Sequence, residues 1–260
     1  MKRKILIITN PGEKGDEHYC KGVYVDAENY KSYFATPYGG YWSEESEILH
    51  LDKPTKLRVD QQISDLSICE FSIIIFCGHG FYSSSSDSNI LQLNLNERID
   101  SIDLRKNSNK RIIILDNCRE VSRDYITDGV ILKARAFSES LSGMNKLHPE
   151  SCKKYYNQTI ESCKNQLIVS YGCDIGEFAN ESSTKGGYYS SSLLKVSRKL
   201  VDDTIDSVDL KKEYFTASFP KLHQASIPLV EKLSDNEQNP QIDKPRLSKS
   251  DKYLPFIIIT

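Results

Sequence analysis

A histidine and a cysteine stand at matching places in this sequence. His79 follows the run FSIIIFCG, and Cys118 follows RIIILDN. Each run reads as a buried strand, so each residue sits just past a strand end. A thiolate is a nucleophile, and an imidazole can take its proton or protonate a leaving amine. Gly80 leaves a backbone N–H accessible, and with the N–H of Cys118 it could supply a two-donor oxyanion hole. Gly78 permits a sharp turn without a Cβ clash. The bland alternative is a small buried thiol and a polar turn histidine; the residues alone leave both readings open.

These two residues meet only if the elements around them place their strands side by side. Strands are expected at 4–10, 46–52, 71–77, 111–116, 165–172 and 254–260, from short apolar runs. Helices are expected at 26–35 and between Leu57 and Ile68, and a small hairpin or edge piece over 90–104. Strands that are apolar on consecutive positions are usually buried on both faces, and strands separated by helices usually run parallel. The pattern predicts a doubly covered, mostly parallel sheet of about six strands, with ligands gathering beyond its carboxyl ends. Residues 119–164 form a long, partly helical connection, and the polar stretch 232–253 reads as a surface loop.

Composition narrows the function classes. The 260 residues fit one domain, taken as 1–260. A formal net charge of −2 and the lack of a basic stripe argue against nucleic acid. No run is long enough to span a membrane, and the apolar run in MKRKILIITNPG is too short for a signal peptide. Seven cysteines without a CxxC pair argue against zinc or a disulfide framework and for a reducing cytoplasm.

The pairing of CGHG with LDNC resembles the caspase-like cysteine peptidases, most of all the metacaspase branch. GVYVDAENYKSYF resembles the stretch that opens that family's first helix, and YGCDIGEFANESSTKGGYYSSSLL its segment after a later strand. QNPQIDKPRLSKSDKYLPFII resembles its closing segment. The order and spacing of the five pieces carry the resemblance across nearly the whole chain. It implies a three-layer α/β/α sandwich and a dyad of nucleophilic Cys118 and acid/base His79, with Gly80 and Cys118 as oxyanion donors. It also implies a substrate pocket (S1) lined by Asp26 and Asp116, suited to a P1 arginine or lysine through charge-assisted hydrogen bonds. Asp26 has a second reading as the cap of a helix beginning at AENY. Arg119-Glu120 and Asn117 depart from the residues common in relatives.

Three functions compete. An active endopeptidase acting on proteins is favoured by the intact Cys118/His79 pair; an inactive caspase-like scaffold has no need to keep both. A flavodoxin-like nucleotide sensor would need a phosphate loop, and NPGEKGDEHYCKG has neither GxGxxG nor GxxxxGK[ST]. No resident cofactor is implied. Stand-alone bacterial relatives serve in anti-phage defence or regulated death, which implies activation by a sensor protein or a small signalling nucleotide. Calcium is a further candidate activator, although no EF-hand-like loop is present. Activity is expected to be weak until something orders the 119–164 connection.

Overall fold

The computed structural model describes residues 1–122, 148–205 and 215–259. In chain order the elements begin β1 (Arg3–Asn10), α1 (Gly22–Ala35), β2 (Ile48–Asp52), α2 (Lys56–Leu66) and β3 (Phe71–Gly78). A short hairpin follows, β4 (Gly80–Ser83), β5 (Ser88–Gln92) and β6 (Arg98–Asp100), then β7 (Lys110–Asp116) and β8 (Val121–Ser122). Beyond these come α3 (Pro149–Ser162), β9 (Gln166–Tyr171), β10 (Glu181–Ser182), β11 (Gly186–Gly187) and α4 (Tyr188–Ile205). The last elements are β12 (Phe215–Ser218), α5 (Phe219–Leu233), β13 (Gln241–Asp243) and β14 (Pro255–Ile259).

The central sheet has six strands in the order β13-β9-β7-β3-β1-β2. All pairs are parallel except β13 with β9. The consecutive apolar residues of β1, β3 and β7 divide between two cores, as a sheet covered on both faces requires. Ile5, Ile7, Ile73, Ile75, Ile112 and Ile114 pack with α1, α3, α4 and α5, whereas Leu6, Ile8, Ile74, Phe76, Ile113 and Leu115 pack with α2 and the β5–β6 hairpin. This is the expected three-layer α/β/α sandwich.

Two elements differ from expectation. The apolar run 254–260 forms a strand, but β14 pairs antiparallel with β12 in a separate two-stranded sheet. The sixth strand of the central sheet is instead β13, inside the stretch read as a polar loop. Its three residues are exposed or half-buried and pair with β9 through the backbone, with one side-chain bond from the Tyr171 hydroxyl to Asp243 Oδ2 at 2.8 Å, so no hydrophobic pattern marks it. Of the 119–164 connection, α3 is a helix; residues 123–147, with Lys133, Arg135 and Lys146, lie outside the described residues. Among the described residues no helix is long and apolar enough to cross a membrane.

Candidate active site

Neighbouring parallel strands bring the two reactive residues to one level. The β3–β7 register places Cys77 opposite Asp116, so His79 and Cys118 each lie two residues beyond a matched pair. The β1–β3 register places Asn10 opposite Gly78, which brings Pro11 beside His79. Gly78 has φ +149°, and a Cβ there would sit 2.4 Å from the Asn10 carbonyl oxygen. Only glycine lets β3 pass β1 this closely and release the histidine.

His79 and Cys118 line one small cavity together with Cys20, Asp26, Asp116 and Glu181. Its volume is about 40 Å³, room for a few water molecules at most. His79 Nε2 lies 3.3 Å from the Pro11 carbonyl oxygen. A carbonyl only accepts, so the proton belongs on Nε2 and Nδ1 is left as the basic nitrogen. The Cys118 thiol is half-buried and points at the Ala179 carbonyl, 3.9 Å away. Gln92 donates its N–H to His79, and Tyr82 donates its N–H to Glu120 on the opposite edge of β4. Alternate N–H groups of a strand point the same way, so the Gly80 N–H faces the segment that carries Cys118.

The family model of the caspase domain matches residues 2–250. The chain belongs to the caspase family. That family is one of cysteine proteases, and the fold agrees: the crystal structure of caspase-1 from Spodoptera frugiperda superposes with a TM-score of 0.56 over 93% of this chain and 87% of that one, at 11% identity. No curated protein matches the sequence.

In this caspase-family chain both aspartates that line the cavity are buried, near enough that the Asp116 charge acts on Asp26. Asp26 is 2% exposed, and its Oδ2 accepts from the Gly187 N–H at 2.8 Å while its Oδ1 has no partner. Asp116 is 6% exposed and accepts from the N–H and hydroxyl of Ser190. Burial pushes the Asp26 carboxyl well above the carboxylate range, and the Asp116 charge adds to the push. Burial raises Asp116 as well, against its two Ser190 bonds. The helix-cap reading of Asp26 does not hold: α1 begins at Gly22, so Asp26 lies inside it.

The thiol and imidazole are both neutral at rest. Burial pushes Cys118 up to about 11, aided by Asp116 and Glu120 and opposed by backbone hydrogen bonding at Ala179. Burial lowers His79, opposed by the Pro11 and His18 carbonyls. A neutral imidazole can therefore take the thiol proton as attack begins.

The structure adds residues that sequence reasoning missed. Glu181 lines the cavity, and its Oε1 accepts from the Gly22 N–H at 3.1 Å, capping α1 from the distant strand β10. Burial raises its carboxyl, with Asp116 contributing. Pro11 holds the histidine through a backbone atom, and a Cβ on Gly12 would lie 2.9 Å from His79 Nε2. Gln238 is fully buried; it donates to the Gly172 carbonyl and accepts from the Asn180 N–H, tying the pocket loop to the segment before β13. Arg119 turns inward, with Nε on Asn89 and its guanidinium 4.1 Å from the Tyr171 ring centre. That anchors the chain directly after the cysteine.

Proposed function

We propose that this protein is a cysteine endopeptidase that cuts after arginine or lysine. Cys118 attacks the scissile carbonyl as its proton passes to His79 Nδ1. The N–H groups of Gly80 and Cys118 hold the oxyanion. The C–N bond then breaks, His79 returns the proton to the leaving amine, and water hydrolyses the thioester with His79 as base. Asp26 and Asp116 receive the P1 cation. One observation carries this reading: the cavity that holds the thiol and imidazole is also lined by two buried aspartates, one with an unpartnered oxygen. Like charges so placed favour a cation between them, and an arginine fork can satisfy two carboxylates at once.

Activation by a sensor protein or a small signalling ligand belongs to the same proposal, in bacterial defence or regulated death. The small size of the cavity supports a resting state. The seven free cysteines fit a cytoplasmic setting. The test is cleavage of matched peptides that differ only at P1, with and without cell lysate. Arginine and lysine should be cut and aspartate rejected. Preference for aspartate or an uncharged residue would refute the pocket. An inert protein that also fails to react at Cys118 with a P1-arginine chloromethyl ketone would favour the scaffold alternative.

A further inference from the structure

We propose that Ser190, backed by Tyr30, is the positioning residue of the specificity pocket: it fixes Asp116 against the first turn of α4 and keeps that carboxylate available to a cation. This rests on the reading of Asp26 and Asp116 as a basic-specific S1 site.

The geometry is directional. Ser190 donates its backbone N–H to Asp116 Oδ2 at 3.0 Å and its hydroxyl to the same oxygen at 2.6 Å. Tyr30 donates its hydroxyl to Ser190 Oγ at 3.1 Å. The serine has one hydroxyl proton, and the tyrosine occupies its acceptor side, so the relay runs Tyr30 to Ser190 to Asp116. With two donors aimed at it, Oδ2 has no place for a proton. Asp26 receives a single donor, the Gly187 N–H on Oδ2 at 2.8 Å. These amides open α4, so the positive end of the helix faces both carboxylates.

The glycines around this cradle leave room for the acids. A Cβ on Gly187 would lie 2.3 Å from Asp116 Oδ2, and one on Gly172 2.6 Å from Oδ1. A Cβ on Gly186 would lie 1.9 Å from Asp26 Oδ1. The segment GGYYS is thus shaped around two carboxylates.

The titratable groups that face Asp116 do not offset its charge. They are Asp26 and Tyr30 from α1, Cys77 from β3, Cys118 and Cys173 from the loops after β7 and β9, Glu181 from β10 and Tyr189 from α4. All are acids or neutral hydroxyls and thiols. The Ser190 donors therefore oppose protonation at a point where a proton would compete with the substrate cation.

The experiment compares wild type with Ser190→Ala, Ser190→Thr and Tyr30→Phe on a P1-arginine peptide from pH 5.5 to 8.5. Ser190→Ala should lose roughly ten- to hundredfold in kcat/KM near pH 6, the worth of one hydrogen bond to a charged group. The loss should lie in KM and shrink toward pH 8. Ser190→Thr should restore the profile. Should Ser190→Ala not fold, Tyr30→Phe carries the test with a smaller displacement in the same direction. His79 contributes the same acid limb in every variant, so only the displacement between profiles is read. Carbon-13 NMR of the Asp116 carboxyl, assigned with Asp116→Asn, should show its titration moved upward in Ser190→Ala. Calorimetry with agmatine, a bare guanidinium probe, should show weaker binding. A parallel pH profile, a loss confined to kcat or an unmoved carboxyl titration overturns the role of Ser190. Wild-type protein that neither binds agmatine nor cuts the peptide overturns the pocket reading itself.

Discussion

The central sheet buries charge at both ends. At the amino end, Arg3 opens β1 and donates to Glu47 and Asn157 at 2.9 Å each and to the carbonyls of Gly40 and Tyr41 at 3.0 Å each. Its guanidinium lies 4.1 Å from the centre of the Trp42 ring. At the carboxyl end, Asp26, Asp116 and Glu181 share a cavity, and each raises or is raised by another. The first cluster pairs opposite charges and adds an aromatic face, so it acts as a joint. The second collects like charges and offsets them only with backbone amides and a serine. A fold gains no stability from that second arrangement; on the proposed reading it gains a place for a cation.

The sharpest way to separate the ends is to cut each. Cys118→Ala should lower peptide turnover by at least roughly a thousandfold and leave urea denaturation nearly unchanged. Wild-type turnover in this variant would remove the dyad. Arg3→Met should do the reverse, costing about 3–5 kcal/mol in urea denaturation, the usual loss when one member of a buried ion pair is removed. Turnover per folded molecule should stay the same.

Asp26→Asn sharpens the comparison through pH. A carboxyl raised in the folded state binds protons that the unfolded chain has released. Its contribution to stability is therefore lost as pH rises from the ordinary carboxylate value of 3.8 through the raised folded value. Asp26→Asn should be more stable than wild type at pH 8, with the advantage shrinking toward pH 4. An advantage of equal size at both values would show that Asp26 carries no such penalty. The smallest effect concerns the thiol. Alkylation of Cys118 by iodoacetamide should keep climbing through alkaline pH toward about 11 without a plateau near neutrality. A plateau below pH 8 would mean a thiolate already present at rest.

Much of this was legible in the sequence. Ile73–Ile75 and Ile112–Ile114 are apolar at every step, which marks strands covered on both faces, and the residues after them had to meet if the strands paired. Other parts were illegible for physical reasons. The hold of Pro11 on His79 uses a carbonyl that every residue carries. Glu181 reaches α1 across 159 positions of sequence, and that contact, not a local cap, starts the helix at Gly22. The strand β13 is three polar or half-buried residues joined mainly by backbone bonds, while β14 is apolar at every position and so does not reveal which sheet it joins. Ser190 sits in a run of serines, and only the register of α4 selects the one that meets Asp116.

The small cavity has a kinetic consequence. About 40 Å³ beside Cys118, Asp26, Asp116 and Glu181 is narrow for the arginine side chain of the proposed substrate. On the proposed reading, entry awaits a widening of this cavity, so the observed affinity is the intrinsic one multiplied by the fraction of molecules open. A P1-arginine aldehyde should then bind with a rate that levels off as its concentration rises, because opening becomes the slow step. The same molecule should leave slowly, since a cavity that widens to admit it also narrows behind it.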